Sequence, residues 1–253
     1  SPSRGLGDVY KRQAFGDLID FTVPTGNFGN ILAGWFAREM GLPVGKLYCA
    51  SNANDVLDDF IRTGVYDANR PFVKTNSPSM DILVSSNLER FIYLMSDRNG
   101  AAVAEDMQAL AKDGRYRVAD EVVARMQNVL ASGAIDEAGT LAIIGDVFAK
   151  TGYLLDTHTA VGVGVAEKAN DGRVMVVDST ANPYKFVGAV WQAVNGEASD
   201  ASDLELLDTL SEKTGVPVHR ALADLTSKPK CERRSITVAD INDSVLDIIK
   251  SRK

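Results

Sequence analysis

The chain has 253 residues, of which 45% are hydrophobic and 24% charged, a balance typical of a protein with a sizeable apolar core. Its 34 acidic residues outnumber its 27 basic residues, and the excess is spread along the chain. Nucleic-acid binders normally concentrate basic residues on one face, so no nucleic-acid partner is expected. Small anions stay open as ligands, because backbone N–H groups bind them without net positive charge.

Metal sites and membrane spans are also not expected. The two cysteines, Cys49 and Cys231, lie far apart, and the two histidines, His158 and His219, are isolated. The chain therefore offers neither a disulfide framework nor the ligand clusters of zinc and iron sites. Charges interrupt its apolar runs before they reach membrane-spanning length, so we expect a cytoplasmic protein with no membrane partner.

The first thirteen residues, SPSRGLGDVYKRQ, form a region of their own. They show no apolar period and lack the apolar stretch of a secretory signal. We interpret residues 1–13 as a leader foreign to the fold or as a disordered tail, and residues 14–253 as one folded portion.

The first part of that portion alternates strands and helices. Residues 18–23 are apolar and β-prone and end at Pro24, which predicts a buried strand that runs into a turn. A helix capped by Asn30 is expected next. A strand at residues 46–50 and a helix at residues 54–62 repeat the pattern, which predicts an α/β fold with a mostly parallel sheet.

The middle of the chain is expected to be a helical insertion over about residues 79–151. Helical patterns with almost no strand signal cover residues 80–95, 101–113, 117–131 and 136–151. The sheet resumes with the strand RVMVVD at residues 173–178. Further helices are predicted at residues 158–169, after Pro183, at 203–213 and at 239–250.

The segment PTGNFGN, residues 24–30, lies where the first strand ends and the first helix begins. Backbone N–H groups of such a turn and of the first helical turn converge, and the helix dipole adds partial positive charge, so a phosphate fits there. The alternative is a tight turn that uses Gly26 and Gly29 only for their dihedral freedom. Spacing alone does not separate the two.

Four further blocks follow PTGNFGN: SNANDVLDDFIRTGVY (51–66), SPSMDILVSSNLERFIY (77–93), DTHTAVGVGVA (156–166) and STANPYKF (179–186). In this order the five blocks resemble those of threonine synthases, a family of fold-type II pyridoxal-phosphate enzymes. The resemblance runs from about residue 18 to the C-terminal end of the chain. Ordered blocks are far more specific than a single glycine motif.

The resemblance implies which residues hold pyridoxal 5′-phosphate. The contacts to its phosphate, with the residue that shapes the turn, fall on Gly26, Asn27, Phe28, Gly29 and Asn30. The contact to the pyridine nitrogen falls on Thr180, whose hydroxyl would not hold that nitrogen protonated as a carboxylate would. Without the resemblance, Ser179 and Thr180 are typical of a strand-end turn whose hydroxyls bond nearby backbone.

Substrate contacts are predicted in the block SSNLER. Two hydroxyls, an amide and a guanidinium suit a carboxylate or phosphate, and these groups belong to Ser85, Ser86, Asn87 and Arg90. The alternative is a solvated helix face. His158 is expected to cap or pack at a helix start rather than to act as a general base.

No catalytic residue is assigned within the chain. The family's Schiff-base lysine is expected upstream of this chain, and the lysines at 46, 74, 150, 168 and 185 do not stand in the family's lysine motif. Lys185 is expected to be structural. Asn182 is a mild departure, because many relatives carry histidine or serine at that position.

The implied function is that of a threonine synthase, which converts O-phospho-L-homoserine and water to L-threonine and phosphate. Without the lysine, the chain alone is expected to be inactive. One alternative is another fold-type II lyase that shares the phosphate loop, although the SSNLER and THTAVG blocks argue against it. The other is a non-catalytic phosphate-binding module.

Overall fold

The computed structural model describes residues 16–169, 172–225, 227–228 and 235–251. The chain forms two compact units that divide after Val218. The interpretation of residues 1–13 as a leader lies outside the described residues. None of the helices in the described ranges is both long enough and apolar enough to cross a membrane.

The larger unit is built on a parallel sheet. The strands described in this unit are β1 (Ile19–Pro24), β2 (Val44–Ser51), β3 (Val65–Asp67), β4 (Arg115–Arg117), β5 (Leu130–Ala134) and β6 (Met175–Val177). The main sheet has the order β5-β2-β1-β6, and all three of its pairings are parallel. The expected α/β fold with a parallel sheet is therefore confirmed.

Helices lie between these strands and after the last of them. They are α1 (Gly29–Glu39), α2 (Val56–Thr63), α3 (Leu88–Met95), α4 (Gly100–Asp113), α5 (Asp120–Val129), α6 (Glu137–Thr151), α7 (Thr157–Ala169), α8 (Val187–Asn195) and α9 (Asp203–Thr214). Short 3₁₀ turns at Pro78–Met80 and Pro183–Phe186 lie between them.

Strand β2 shows how the sheet divides the core. Because side chains alternate along a strand, Leu47 and Cys49 face one way and join the large cluster that contains residues of α1, α2, α3 and α5. Ala50 belongs to a second cluster, with Val161 and Val165 of α7. Both faces of β2 are thus buried, which is typical of a parallel strand.

The expected helical insertion at 79–151 is wrong in one respect. Leu130–Ala134 is a strand of the main sheet and pairs with β2, while Arg115–Arg117 pairs with Val65–Asp67. The sequence LASGA has small residues and a weak strand signal, so its conformation is fixed by the neighbouring strand rather than by local preference.

The helix expected at 80–95 is also interrupted, because residues 81–87 separate a 3₁₀ turn from α3. Asp81 explains the break. Its carboxylate accepts hydrogen bonds from the side chains of Asn52 at 2.8 Å and Thr75 at 2.6 Å, and from the Thr75 backbone N–H at 2.9 Å. Such bonds to other segments compete with helix formation.

The smaller unit runs from His219 to Lys253. Its described helices are α10 (Arg220–Ala223) and α11 (Ile241–Ser251), with a 3₁₀ turn at Val238–Asp240. Helix α11 corresponds to the amphipathic helix predicted at 239–250.

Candidate active site

A cavity of about 270 Å³ lies at the carboxyl end of β1. It is lined by the turn after β1, the first 3₁₀ turn, the start of α7 and the segment after β6: Pro24, Thr25, Gly26, Asn27, Phe28, Gly29, Asn30, Ser79, Met80, His158, Thr180, Ala181 and Lys185. We call this the loop cavity. Ligands of α/β folds bind at the carboxyl ends of parallel strands, which is where this cavity lies. Its volume is close to the lower end of the range for small-molecule pockets, about 300 Å³.

The turn after β1 places one of its side chains in the hydrophobic core. Phe28 has left-handed backbone geometry with φ of 63°, and its ring is buried with its centroid 5.4 Å from that of Phe91. Helix α1 begins at Gly29, and the residue before it supplies no side-chain cap. The first N–H groups of α1 are thus positioned to meet an anion.

Asn30 does not cap α1, contrary to the sequence prediction. The helix begins one residue earlier, and the Asn30 side-chain amide donates instead to Asp178 Oδ2 at 3.4 Å. This bond links the start of α1 to the residue that follows β6, so it joins two walls of the loop cavity.

Gly26 is required by close packing. A Cβ at this position would lie 2.8 Å from the backbone oxygen of Ser79 and 3.2 Å from Met80 Cα. Both atoms are backbone and cannot move aside cheaply. Gly29 differs, since the nearest atom to its Cβ position is Asn87 Nδ2 at 3.9 Å.

The predicted substrate contacts in the SSNLER block hold the turn instead of lining the loop cavity. Ser85 Oγ donates to the Gly26 oxygen at 2.8 Å, and Asn87 Nδ2 donates to the Asn27 oxygen at 2.8 Å. These donors satisfy the carbonyl groups of the turn. The residues of the turn line the loop cavity, whereas Ser85 and Asn87 are not among its lining residues.

The other two members of that block contact side chains rather than the carbonyl groups of the turn. Ser86 Oγ donates to Asn27 Oδ1 at 3.2 Å, and Arg90 donates to Asn87 Oδ1 at 2.5 Å. The prediction that this block contacts the substrate stays a prediction, and the structure adds that Ser85 and Asn87 bind the carbonyl groups of the turn.

Thr180 lines the same cavity as residues 26–30, as the resemblance implies. The segment after β6 starts from a bond between the Asp178 N–H and the Thr22 oxygen at 2.9 Å, which carries the chain past the end of β1. The Ser179 hydroxyl is bonded to a side chain of α7, since its Oγ accepts from Thr159 Oγ1 at 3.4 Å, whereas the alternative predicted bonds to nearby backbone.

His158 lies in the cavity wall, at the start of α7, and is 3% exposed. Its Nε2 accepts the Ser79 backbone N–H at 3.1 Å, so Nε2 carries no proton in this geometry. Its ring packs against Phe186 with a centroid distance of 4.7 Å. The structure agrees with a packing role, because the nitrogen that a general base would use is occupied.

The carboxylate of Asp156 lies next to the backbone and the ring of His158. Its carboxylate accepts the backbone N–H groups of His158 at 2.9 Å and Thr159 at 3.0 Å, and lies 3.6 Å from His158 Nδ1. Burial alone would raise the pKa of Asp156, but its hydrogen bonds with His158 and Thr159 outweigh burial and hold the pKa below its ordinary value. A charged Asp156 favours the proton on Nδ1 and leaves Nε2 as the acceptor.

Lys185 also lines the loop cavity, which the sequence did not predict. The signal available was its position five residues after Thr180 in the block STANPYKF. Asn182, the departure from many relatives, caps the 3₁₀ turn that carries Lys185: its Oδ1 accepts the Tyr184 N–H at 3.0 Å. Asparagine therefore suits this position.

A larger cavity, of about 630 Å³, lies beside the carboxyl end of β5. We call it the acidic cavity, and it is lined by Asn52, Ala53, Asp55, Ala134, Ile135, Asp136, Gly139, Ala142, Ile143, Gly164, Glu167 and Lys168. Three carboxylates and one ammonium group face it. Its charge therefore disfavours a phosphate, although its volume is greater.

Comparison with known proteins gives one consistent family. The model of the family described as threonine synthase, C-terminal, matches residues 159–243. Threonine synthase-like 1 of Homo sapiens is 38% identical over 232 residues, which is 90% of this chain and 31% of that protein. Threonine synthase of Pseudomonas aeruginosa is 42% identical over 182 residues, which is 71% of this chain and 39% of that protein.

Two solved structures agree with these relatives. PLP-bound threonine synthase from Brucella melitensis has a TM-score of 0.71 and 36% identity, covering 82% of this chain and 48% of that one. Threonine synthase from yeast has a TM-score of 0.77 and 32% identity, covering 92% of this chain and 48% of that one. The chain thus spans less than half the length of these relatives.

Proposed function

Because the chain belongs to the threonine synthase family, we propose that its loop cavity binds pyridoxal 5′-phosphate for the conversion of O-phospho-L-homoserine and water to L-threonine and phosphate. One observation carries the proposal. Residues 26–30 and Thr180, which are far apart in the sequence, line one cavity at the carboxyl end of β1. The phosphate and the ring nitrogen of the cofactor would meet these two walls.

The residues present fit this cofactor. Its phosphate needs N–H donors and an absence of negative charge, and the loop cavity has an uncapped helix start and no carboxylate among its described lining residues. Its ring nitrogen needs one polar partner, and Thr180 offers a hydroxyl. The Brucella melitensis relative, described as PLP-bound, supports the assignment.

Within this proposal the chain contributes position and charge. Bound cofactor would supply the electron sink that the reaction requires. The N–H groups of residues 26–30 hold the phosphate and so fix the direction of the ring. Thr180 bonds the ring nitrogen without adding a formal charge, and His158 holds Ser79 and with it the adjacent wall.

Positioning of the turn depends on donors outside the cavity. Ser85 and Asn87 bind the carbonyl oxygens of Gly26 and Asn27, and these bonds prevent the peptide groups from rotating their oxygens toward a phosphate. An inward carbonyl would place a partial negative charge against the anion. The SSNLER block therefore acts on cofactor affinity through the backbone of the turn.

We also propose that the 253-residue chain by itself binds the cofactor without a covalent bond and forms no threonine. The resemblance implies that the lysines at 46, 74, 150, 168 and 185 do not stand in the family's lysine motif, and the proposal rests on that expectation. Absorbance after dialysis tests the first part, and phosphate release from O-phospho-L-homoserine tests the second. A stable imine band that survives dialysis, or release of phosphate, would contradict this part of the proposal.

The reaction itself is tested by a chimera. This chain matches 48% of the yeast structure, so it can replace the matched region of the yeast protein. The chimera should release phosphate and form threonine from O-phospho-L-homoserine. A chimera that folds and binds the cofactor, yet forms no threonine, would refute the proposed reaction for this chain.

A cytoplasmic location is proposed as well. Cys49 is a buried free thiol, and cysteines that are not in disulfides are usual in the reducing cytoplasm. Fractionation of cells that express a tagged chain should recover it with cytoplasmic markers. Recovery in membrane or secreted fractions would overturn the location.

A further inference from the structure

The charge of the loop cavity is concentrated in one side chain. Among the described residues that line it, Lys185 is the only one with a permanent charge, and no aspartate or glutamate faces it. The chain as a whole has 34 acidic and 27 basic residues, so a cavity without a carboxylate departs from its average. An anion that enters the loop cavity meets one ammonium group and no repulsion from its lining.

Lys185 is held on a rigid turn. Asn182 caps the 3₁₀ turn Pro183–Phe186 through the Tyr184 N–H, and Pro183 fixes the first dihedral of that turn. Tyr184 is 3% exposed, and its hydroxyl donates to the Val216 oxygen. With Tyr184 anchored inward, the next side chain, Lys185, is exposed and lines the cavity.

Among the described residues, the ammonium group of Lys185 lies against an aromatic ring rather than a carboxylate. No ion pair joins Lys185 to an acidic side chain in the part of the chain that the structure describes, whereas Lys150 pairs with Asp146 at 3.3 Å. Its described neighbour is the ring of Phe186, with Nζ 5.7 Å from the centroid. A cation held over a ring face keeps its N–H donors for a further ligand.

We propose that Lys185 is a phosphate-binding residue of the loop cavity, where its ammonium group pairs with a phosphate monoester. The inference rests on the proposed function, because that function brings phosphate esters to this cavity. Two sources share this chemistry: the phosphate of pyridoxal 5′-phosphate and the phosphate of O-phospho-L-homoserine. The backbone N–H groups of the turn supply geometry, and Lys185 supplies charge.

The test compares Lys185→Gln with wild type in the 253-residue chain. Affinities are measured by titration calorimetry for pyridoxal 5′-phosphate and for pyridoxal, which lacks the phosphate. O-phospho-L-homoserine and L-homoserine are then titrated into cofactor-saturated protein. We expect about tenfold weaker binding of at least one phosphorylated ligand and unchanged binding of its unphosphorylated partner. Which ligand is weakened identifies which phosphate Lys185 binds.

Two further variants serve as controls. Lys150→Gln removes an exposed lysine outside the loop cavity and should leave all four affinities unchanged. Lys185→Arg keeps the charge and should recover most of the lost affinity. Circular dichroism of each variant checks its fold.

Three results would count against the inference. If Lys185→Gln binds every phosphorylated ligand as wild type does, Lys185 binds no phosphate, while the proposed function stands. If wild type forms an imine band that Lys185→Gln lacks, Lys185 is a covalent site rather than a phosphate ligand. If wild type itself binds pyridoxal 5′-phosphate no better than pyridoxal, the phosphate site fails, and the proposed function fails with the inference.

Discussion

The loop cavity and the acidic cavity lie at the same edge of the same sheet, at the carboxyl ends of β1 and β5, yet they differ in charge. The acidic cavity has about 630 Å³ and is lined by three carboxylates and one lysine. The loop cavity has about 270 Å³ and is lined by one lysine and no carboxylate among the described residues. Volume would select the first, whereas the chemistry of a phosphate ester selects the second.

The two cavities also differ in how their backbone is arranged. Helix α6, beside the acidic cavity, is capped by its own Asp136, whose Oδ1 accepts the Gly139 N–H at 2.8 Å. Helix α1, at the loop cavity, begins without a side-chain cap. At a capped helix start, a backbone N–H of the first turn already donates to the capping side chain. At an uncapped start, the same N–H group can donate to a ligand.

The largest effect is expected from Gly26→Ala. The new Cβ would lie 2.8 Å from the Ser79 oxygen, so the turn at residues 24–30 and the 3₁₀ turn Pro78–Met80 must move apart. We expect a loss of about 3 kcal/mol in the free energy of unfolding, together with loss of cofactor binding. Urea unfolding and cofactor titration measure both.

Gly29→Ala is the matched control for this change. Its Cβ would lie 3.9 Å from Asn87 Nδ2, an ordinary contact, so its free energy of unfolding should be within about 1 kcal/mol of wild type. Equal destabilisation by the two substitutions would show that close approach at residue 26 is not what the fold requires.

The next largest effect is expected from Asp156→Asn, with a loss of about 2 kcal/mol in the free energy of unfolding at pH 7. The folded-state pKa of Asp156 lies below its ordinary value of 3.8. Its stabilisation is therefore fully present above the unfolded pKa and is lost as pH falls through the folded pKa. The difference in the free energy of unfolding between wild type and Asp156→Asn should become smaller below about pH 4.

The exposed Asp146 provides the comparison for this pH profile. Asp146→Asn removes only an exposed ion pair with Lys150, and it should cost less than about 0.5 kcal/mol. Unfolding by urea at a series of pH values measures all three proteins. A gap between wild type and Asp156→Asn that widens on acidification would contradict the sign of the pKa shift.

Ser85→Ala should have an intermediate effect. It removes the buried donor to the Gly26 oxygen, and we expect a loss of about 1.5 kcal/mol in the free energy of unfolding together with weaker cofactor binding. Ser86→Ala, which removes an exposed hydroxyl of the same block, should change either quantity far less. Similar losses of stability and of cofactor binding in the two variants would show that the Ser85 bond to the turn has no special role.

A smaller effect is expected from Thr180→Val, which removes the hydroxyl predicted to bind the ring nitrogen. Affinity for pyridoxal 5′-phosphate and for pyridoxal should fall by about fivefold alike, because both ligands contain that nitrogen. Thr180→Ser keeps the hydroxyl and should bind as wild type does. Wild-type affinity in Thr180→Val would remove Thr180 from the site.

No effect is expected from Glu167→Gln. This change removes one carboxylate from the lining of the acidic cavity and leaves the loop cavity as it is. Cofactor affinity measured by titration should equal that of wild type. A change in affinity of several fold would place the ligand in the acidic cavity and reverse the comparison between the two.

Local sequence patterns were sufficient for the parallel sheet and for the turn at residues 24–30, because a buried strand followed by a glycine-rich turn and an apolar helix leaves few alternatives. They failed for β5, since LASGA becomes a strand only beside β2. They also failed for Ser79 and Lys185. Ser79 has no local signature, and the signal for Lys185 is only its position five residues after Thr180 in the block STANPYKF.

The roles of Ser85 and Asn87 show the same limit. Polar residues at this spacing suit an anion, but the same groups also suit backbone carbonyls, and only the fold decides which partner lies within reach. His158 is the reverse case. A lone histidine at a helix start was expected to pack, and its Nε2 is indeed occupied by the Ser79 N–H.

A crystal structure of the chain grown with pyridoxal 5′-phosphate would show which cavity holds the cofactor and in which orientation. We expect the phosphate within hydrogen-bond distance of the N–H groups of residues 26–30, with the ring nitrogen next to the Thr180 hydroxyl. A cofactor in the acidic cavity, or one in the loop cavity with its phosphate directed away from residues 26–30, would contradict this expectation.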